Sequence, residues 1–408
     1  MSATGRRRPY DGAVPVRCFD RTLRAAKRFV DGMHRTRTPA ATVRRARRLM
    51  RPLGITRLAD FTGLDVIGVP VFSAIRPNGK SLSTSQGKGL DADAARASAL
   101  MESIETWHAE NVALPVVRGS WRQLRARGAV DPRRLPRPRG RLDLDERWPW
   151  VAGWDLGAAR PVLVPREAVS LDTTFAPDYR PRFDVSSNGL GTGNHLLEAI
   201  AQGLCEVIER DAEARWRAER GDRRVDLDTV TGAAGRWLLE RLRAAGVFVA
   251  AWELTSDVGV PVYGCSILED PDEPAWRALG LYQGFGCHLD PEIALVRALL
   301  EAVQTRLTYI AGSRDDFFPF DYARATDEEL LHAVWHQLHR RPRKLVDLRR
   351  APRLATPTLD GDVEVVLERL DRAGARQVVV VDLGRPELGV PVVKVLIPGR
   401  ATAIEHMG

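Results

Sequence analysis

One segment constrains the fold and function of this chain more than any other: 195–216, whose composition predicts a long α-helix. Its polar stripe has members four, four and three residues apart, which therefore share one helical face: Glu198, Gln202, Glu206 and Glu209. The positions beside the stripe are apolar: Leu197, Ile200, Leu204 and Val207. A carboxylate stripe with apolar borders is harder to explain as a solvent-facing surface than as a binding site. Such oxygen ligands suit Mg²⁺, which usually also binds water and phosphate oxygens.

A glycine-rich loop, 187–194, leads into that helix and reads Ser-Asn-Gly-Leu-Gly-Thr-Gly-Asn. Such a loop offers backbone N–H groups at a helix N-terminus, where anions bind. The loop and the stripe together favour a site for a phosphate-bearing ligand and a metal ion. A polar helix face that simply follows a loop is the alternative interpretation.

A second helix is predicted over 92–110, because the segment lacks Gly and Pro and is rich in Ala, Glu and Leu. Glu102 and Glu105 lie three residues apart on it, and two like charges on one face repel unless a cation lies between them. The preceding segment Ser85-Gln86-Gly87-Lys88-Gly89 presents a glycine-flanked lysine that can approach a phosphate. Taken alone, the glutamate pair is more typical of a solvated helix surface.

A third helix is predicted over 289–311, with Asp290 as its N-cap and Pro291 at its first position. Arg297, Glu301 and Gln304 fall on one face, at spacings of four and three. Such a face can bind phosphate through the arginine and order a metal ion, whereas a plain surface ion pair is the alternative. The chain contains no P-loop motif, so the three helices suggest a nucleotide site built without one.

Length and composition limit the fold class. With 408 residues, 44% of them hydrophobic, the chain can bury one large core. Strands predicted over 66–75, 377–382 and 390–397 alternate with helices and form no fixed-period repeat, which indicates an α+β or α/β fold. The longest apolar runs have the length of a strand, so we expect no membrane-spanning helix. The N-terminus lacks the apolar stretch of a signal peptide and the four cysteines form no C-x-x-C pair, which favours the cytoplasm.

The net charge of +8 comes mostly from arginine and is concentrated in two places. The first is the acid-poor segment 1–51, which contains a cluster that we predict to be surface-exposed or partner-binding: Arg44, Arg45, Arg47 and Arg48. The second runs from Arg133 to Arg141 within a predicted surface excursion, 118–147. Basic clusters can bind nucleic acid, phosphate or an acidic partner. No zinc module or interleaved aromatic pattern accompanies these arginines, so we do not expect nucleic-acid binding.

In combination the motifs resemble the YcaO family of ATP-using enzymes that modify peptide backbones. The resemblance extends from Arg35 to Gly399 and rests on motifs in a fixed order: Gly87-Lys88-Gly89, Ala97-Ser98-Ala99-Leu100 with Glu102 and Glu105, Ser187-Asn188-Gly189 with Gly193-Asn194, Glu206-Val207-Ile208-Glu209-Arg210, and Arg297 through Glu301 to Gln304-Thr305-Arg306. It implies an α+β fold, in which a single large YcaO-type domain holds the nucleotide between sheet and helix layers. We expect an Arg-rich helical N-terminal segment, 1–55, the YcaO domain, 56–400, and a short tail, 401–408.

The same resemblance implies roles for individual residues. It implies that acidic side chains hold Mg²⁺: Glu102, Glu105, Glu198, Glu206, Glu209 and Glu301. It implies that a larger set contacts ATP: Arg35, Thr42, Ser85, Lys88, Asn194, Glu198, Arg210, Arg297, Glu301 and Gln304. The residues implied to be catalytic are Glu102, Glu206, Glu209 and Arg210. Arg37 is the alternative to Arg35 as the basic contact near the N-terminus.

The implied reaction activates an amide of a ribosomally made peptide or protein. A nucleophile attacks the peptide carbonyl, ATP phosphorylates the oxyanion, and phosphate leaves, while Mg²⁺ neutralises charge. A substrate Cys, Ser or Thr as nucleophile gives an azoline ring, whereas external sulfide gives a thioamide.

The chain resembles the stand-alone members of the family that form thioamides with a TfuA-type partner. It shows no proline-rich tail and no fused precursor-binding domain, and its opening to the domain, Leu53-Gly54-Ile55-Thr56-Arg57, is similar to theirs. We also expect a homodimer. A non-catalytic family member that only binds a peptide or a partner protein is the alternative from another functional class.

Overall fold

The computed structural model describes residues 16–29, 32–219, 221–274, 276–340, 342 and 344–400. Within these ranges helices α1 to α9 are Pro39–Arg47, Ala92–Glu110, Trp121–Leu124, Leu196–Glu219, Ala233–Ala244, Pro291–Ala311, Pro319–Ala325, Glu328–His339 and Leu359–Arg372. Strands β1 to β16 are Val16–Cys18, Arg21–Leu23, Arg57–Asp60, Val71–Ile75, Thr84–Lys88, Val117–Gly119, Trp148–Asp155, Arg160–Pro165, Leu190–Thr192, Val225–Asp226, Val247–Glu253, Val262–Glu269, Tyr282–Cys287, Val346–Asp347, Val379–Asp382 and Val392–Leu396. The predicted tail, 401–408, and residues 1–15 of the predicted N-terminal segment lie outside the described residues.

The three predicted helices are present as α2, α4 and α6. Helix α2 has the bounds predicted for it, and α4 extends past its predicted end to Glu219. Helix α6 begins at Pro291, and the Asp290 carboxylate accepts the first backbone N–H groups as predicted. The strand predicted over 66–75 is shorter, as β4, because a turn with Gly68 in the left-handed region (φ +69°) precedes it.

One arrangement occurs three times in the fold. Each time, a strand with a Gly-X-Gly pattern in it or at its end leads into a long helix: β5 into α2, β9 into α4 and β13 into α6. Strand β5 ends the antiparallel sheet β3-β4-β5, and β13 ends the antiparallel sheet β11-β12-β13. Strand β9 is the edge of a six-stranded antiparallel sheet of order β6-β7-β15-β16-β9, in which β8 pairs with β7.

These three units close into a ring. Each helix packs on the strand that precedes it, and its other side contacts the strand of the next unit. Helix α2 therefore contacts β9, α4 contacts β13, and α6 contacts β5. The helices and sheets alternate around a space between α2, α4 and α6, which we call the central cleft.

Alternating burial along the strands explains these layers. On β15, Val379 and Val381 pack in the hydrophobic cluster around α2, whereas Val380 packs in the cluster around α4. On β12, Val262 packs toward α4 and Tyr263 toward α6. Both faces of these sheets are thus covered by helices, and the fold is α+β with mixed helices and sheets in a single domain, as predicted.

The predicted division of the chain at residue 55 stays a prediction. Leu53 and Ile55 pack in the same hydrophobic cluster as Leu100 of α2. Within the predicted surface excursion, Leu124 and Leu135 are buried. None of the helices in the described part of the chain combines the length and apolar composition that a bilayer crossing needs.

Candidate nucleotide site

Glycines determine how closely each helix approaches its strand. A Cβ atom added to Gly87 would lie 2.0 Å from the backbone nitrogen of Ala99, and one added to Gly191 would lie 2.1 Å from the Ala199 carbonyl oxygen. One added to Gly286 would lie 2.1 Å from a carbonyl oxygen of α6. Because neighbouring strand residues face opposite sides, the residue between two glycines points away from its own helix.

Residues of these strands contact glutamates on the helix of the preceding unit. Three such contacts line the central cleft: Lys88 Nζ to Glu301 Oε2 (2.8 Å), Thr192 Oγ1 to Glu105 Oε2 (2.6 Å) and the backbone N–H of Cys287 to Glu209 Oε2 (2.7 Å). In each contact the strand residue donates and the carboxylate accepts. The ring therefore brings glutamates of α2, α4 and α6 together, although they are far apart in the sequence.

The surrounding protein changes the acidity of the two glutamates on α2. Burial raises the pKa of Glu102 to about 7, while the charge of Lys88 opposes the rise. Burial also raises the pKa of Glu105 to about 7, and the charge of Glu102 adds to that effect. The surrounding protein removes part of the water around Glu102 although its side chain stays accessible in the cleft, whereas Glu209 is buried.

The glutamates on α4 show the same effect. Burial raises the pKa of Glu206 well above its usual value, and the charges of Glu105 and Glu209 contribute to the rise. Burial raises the pKa of Glu209 to about 7, and the charge of Glu301 adds to it. The charges of all three helices thus act on one another across the cleft. A bound divalent cation would neutralise this repulsion.

Glu301 differs from these glutamates because basic side chains surround it. Burial alone would raise its pKa, but the charges of Lys88, Arg210 and Arg297 outweigh burial and hold the pKa below its usual value. Burial opposes the charge on Arg210, yet the surrounding glutamates, Glu301 foremost, raise the pKa of this guanidinium. Arg210 NH1 also donates a 3.1 Å hydrogen bond to Glu213. Cationic groups that can bind phosphate oxygens therefore lie beside the carboxylates that can bind a metal ion.

A second polar group connects α1 with the glycine-rich loop before α4. The Asn194 side chain donates a 2.8 Å hydrogen bond to the Thr42 hydroxyl. Glu198, which is 0% exposed, accepts the backbone N–H of Asn194 (2.6 Å) on one oxygen and that of Thr36 on the other. Because both carboxylate oxygens have protein donors, Glu198 joins two chain segments at the edge of the site.

The structure distinguishes between the two basic candidates near the N-terminus. The Arg35 guanidinium is enclosed by protein beside Glu198 and Arg297, and burial lowers its pKa. Arg37 is exposed. Arg35 is thus the candidate that lies beside other predicted site residues, and its contact with the nucleotide stays a prediction.

Arg45, one of the arginines predicted to lie on the surface, is half-buried. Its guanidinium donates a 3.4 Å hydrogen bond to the Asn194 carbonyl oxygen and another to the Gly389 carbonyl oxygen. It faces inward because helical spacing places it on the same side of α1 as Thr42, three residues earlier. Its neighbours Arg44 and Arg47 are exposed, as predicted.

Three buried polar atoms of this region have no hydrogen-bond partner among the described residues: Asn194 Oδ1, Arg297 Nε and Gln304 Oε1. Burying a polar atom without a partner costs free energy, and a ligand that supplies the missing hydrogen bond would recover it. The set contains both donors and acceptors, as a nucleotide would require. These atoms fit a site that is completed by its ligand.

One predicted contact points elsewhere, and two basic residues were missed. Ser85 is buried on the face of β5 that carries Gly87, so its side chain points toward α2 and away from Lys88; its contact with nucleotide stays a prediction. Lys394 lies near Glu105 and Glu206, whose pKa values its charge lowers, and Arg314 acts in the same way on Glu102. Lys394 is the one charged residue in the sequence of β16, a signal that could have identified it. Arg314 follows α6 without a comparable signal.

No three His, Cys, Asp or Glu side chains in the described ranges converge closely enough to hold a metal ion by themselves. Mg²⁺ fits this arrangement, because proteins usually bind it through one or two carboxylates and leave the other positions to water and substrate phosphates. A separate cavity of about 590 Å³, between Trp276 and Trp335, contains none of the predicted site residues. The central cleft is therefore the candidate nucleotide site.

A family model described as YcaO cyclodehydratase, ATP- and Mg²⁺-binding, matches residues 86–401. The chain belongs to the YcaO family. ATP and Mg²⁺ are therefore its cofactors, as the sequence analysis predicted. The chain is a member of a family of ATP-dependent enzymes with a cyclodehydratase-type fold.

Two relatives match along most of their length. An uncharacterized protein of Methanothermobacter thermautotrophicus is 37% identical over 373 residues, which cover 88% of this YcaO chain and 93% of that protein. A protein of Rhizobium leguminosarum bv. trifolii, described as lying in the tfuA 3′ region, is 36% identical over 89% of this chain and 87% of that protein. The predicted resemblance to TfuA-associated members is thereby confirmed.

Two solved structures share the fold. YcaO from Methanopyrus kandleri, bound with AMPPCP and Mg²⁺, superposes with a TM-score of 0.74 and 28% identity, over 92% of this chain and 95% of that one. A heterocyclase in complex with substrate and cofactor superposes with a TM-score of 0.79 and 25% identity. The second match covers 96% of this chain but 55% of the heterocyclase, so this chain spans about half of that protein's length.

Proposed function

We propose that this YcaO protein uses ATP to activate backbone amides of a peptide or protein, and that sulfide then replaces the amide oxygen to form a thioamide. The observation that carries the proposal is the central cleft, where glutamates of three helices lie beside basic side chains. Such a site can hold the charge of a triphosphate and of Mg²⁺ at once. The relative in the tfuA 3′ region supports sulfide as the nucleophile, because the chain resembles the family members that form thioamides with a TfuA-type partner.

In this proposal the residues divide by charge. Each Mg²⁺ ion is held by one or two of the carboxylates that line the cleft, a set that comprises Glu102, Glu105, Glu206 and Glu209. Phosphate oxygens are bound by the cationic side chains beside them: Lys88, Arg210 and Arg297. Arg35, Thr42, Asn194 and Gln304 contact the rest of the nucleotide. Glu301 orients the cations, and Glu198 holds Asn194 in place; contact of these two glutamates with Mg²⁺ stays a prediction.

When bound, ATP supplies the phosphoryl group that makes the amide oxygen a leaving group. Sulfide bonds to the carbonyl carbon, the carbon–oxygen bond breaks, and the oxygen departs as part of phosphate. The basic side chains stabilise the negative charge on oxygen before it departs. We propose that a TfuA-like partner protein assists and that the enzyme is a homodimer. We place the reaction in the reducing cytoplasm, which suits the buried free thiols of Cys18, Cys205, Cys265 and Cys287.

Mass spectrometry of the peptide substrate after co-expression tests the proposal. We expect a gain of about 16 Da for each oxygen replaced by sulfur, and no gain with Glu206→Gln. A matched control is Glu240→Gln, which removes an exposed glutamate of α5. An unmodified substrate with wild-type enzyme and partner would contradict thioamide formation.

Azoline formation is the second candidate. The structural match to a substrate-bound heterocyclase favours it. A loss of about 18 Da from the substrate, through attack of its own Cys, Ser or Thr, would support this reaction. A non-catalytic binding role would instead show nucleotide binding without ATP turnover in the presence of the substrate; the retained glutamates argue against it.

A further inference from the structure

Helix α1 has two faces of different chemistry. Its inner face packs into the protein through Thr42, Val43 and Ala46. Its outer side and the turn that follows carry four exposed arginines: Arg44, Arg47, Arg48 and Arg51. Spacings of three and four residues keep them on one side, so positive charges lie next to one another along the helix.

These four charges are uncompensated within the described ranges. No guanidinium of this set forms a hydrogen bond or an ion pair there, whereas Arg133 in the other arginine-rich segment pairs with Asp131. The sequence contains no Asp or Glu between Asp31 and Asp60, so no acidic neighbour is close along the chain. Like charges at such spacing destabilise a helix. Negative charge that pairs with these arginines can therefore come from another molecule.

The position of α1 relates this surface to the central cleft. Thr42, on the inner side of the helix, accepts the 2.8 Å hydrogen bond from Asn194, which ends the glycine-rich loop before α4. An α-helix with its side chains is about 10–12 Å across. The exposed arginines therefore lie about one helix diameter from the candidate nucleotide site.

We propose that the outer face of α1 binds an acidic stretch of the peptide substrate, an inference that rests on the proposed function. The arginines extend from Arg44 to Arg51, and at the helical rise of about 1.5 Å per residue they cover about 10 Å, a length that about three extended peptide residues span. A short run of Asp and Glu thus matches the arginines in length and charge. Duplex nucleic acid is a poorer match, because tight binding usually neutralises about 6–10 phosphates.

Binding at this face holds the substrate near the site without taking part in the reaction. The acidic stretch raises the local concentration of the amides that lie a few residues away along the same peptide. Specificity then comes from charge outside the modified position, and the cleft can accept different side chains at the modified amide.

Fluorescence anisotropy with a labelled hexaglutamate peptide tests this proposal. We expect wild-type protein to bind it, with affinity that falls as salt increases, and Arg44→Glu/Arg48→Glu to bind at least about tenfold more weakly. Arg47→Glu/Arg51→Glu is a second variant with the same expected loss. The matched control, Arg139→Glu/Arg141→Glu, makes the same change in net charge at exposed arginines elsewhere and should bind like wild type. Affinity for an ATP analogue should stay within about twofold in all three variants, since the changed residues do not contact the site.

Several outcomes would overturn the proposal: no hexaglutamate binding by the wild type, equal losses in the control and in the α1 variants, or tighter binding of a labelled DNA duplex than of the peptide. The test is separate from that of the proposed function. Thioamide formation without hexaglutamate binding would refute only the docking surface. Hexaglutamate binding without modification of any substrate would support the docking surface and count against the proposed chemistry.

Discussion

Glu206 lies between two other glutamates, one on its own helix and one on α2, in a cleft that water only partly fills. Burial and these two charges favour its protonated form, whereas a carboxylate must be ionised to bind a metal ion. Binding of Mg²⁺ therefore releases protons from this group of residues. In the ligand-free protein the ionised forms of these glutamates repel one another, and bound Mg²⁺ would neutralise that repulsion.

The first prediction follows at this residue. Glu206→Gln should abolish ATP-dependent modification but leave the melting temperature of the ligand-free protein unchanged or higher, because glutamine stays neutral where the folded protein disfavours the charged form of glutamate. The same holds for Glu102, Glu105 and Glu209. Differential scanning calorimetry and mass spectrometry of the substrate measure the two effects. A large fall in melting temperature with activity retained would show that these residues are structural.

Arg210 supports a second prediction. Arg210→Ala should weaken binding of a non-hydrolysable ATP analogue with Mg²⁺ by about 10- to 100-fold, since a hydrogen bond between charged groups contributes about 1.5–3 kcal/mol. Arg210→Lys should restore binding only in part, because lysine cannot make the planar two-pronged contact. Titration calorimetry decides the question. Wild-type affinity in Arg210→Ala would remove this residue from the phosphate site.

At the level of elements, the glycines of β5, β9 and β13 determine where the glutamate helices lie. A methyl group at Gly286 would meet two backbone atoms of α6, at 2.1 and 2.7 Å, and backbone cannot move aside as a flexible side chain can. Helix α6 would have to shift as a whole, and Arg297 and Glu301 would shift with it. The spacing between each strand and its helix therefore also determines how far apart the charged side chains of the cleft lie.

The third prediction compares two glycines. Gly286→Ala should lower the free energy of unfolding by about 1–3 kcal/mol and weaken nucleotide binding. Gly63→Ala is the matched control, because no atom lies within 4 Å of its added Cβ. Urea denaturation and titration calorimetry on both variants test this. Equal effects at the two positions would refute the packing argument.

Local patterns predicted the elements but not the way they meet. The bounds of α2 and the N-cap of α6 followed from propensity and capping, which act within a few residues. The ring depends on contacts such as Lys88 with Glu301, 213 residues apart, which no local pattern contains. Two of the Gly-X-Gly strands were visible as glycine-rich segments. The third, around Gly284, was not predicted because no polar glycine-rich loop accompanies it.

For the whole molecule, the raised pKa values predict how stability changes with pH. An unfolded glutamate loses its proton near pH 4.5, whereas Glu102, Glu105 and Glu209 keep theirs to about 7 in the folded protein. Between these values the folded state binds more protons than the unfolded state. The free energy of unfolding of the ligand-free protein should therefore fall as the pH rises from about 4.5 to about 7 and level off above that.

Thermal melts between about pH 5.5 and 8.5 measure this dependence. Mg²⁺ with a non-hydrolysable ATP analogue should flatten it, because the ionised carboxylates then have a cation to bind. The Glu105→Gln/Glu209→Gln variant should show a weaker dependence than wild type even without ligand. If the melting temperature of this variant depended on pH as that of the wild type does, other groups would cause the pH dependence.

The pairing of β16 with β9 has a consequence for biosynthesis. Val392 of β16 pairs with Thr192 of β9. Strand β9 therefore lacks this partner until the ribosome has added 200 more residues. At a synthesis rate of about 5–20 residues per second, that delay is on the order of 10–40 s. During this time Lys394, too, is missing from the cleft. A nascent chain therefore cannot bind its nucleotide as the finished enzyme does, and catalysis starts only after translation of the last strand.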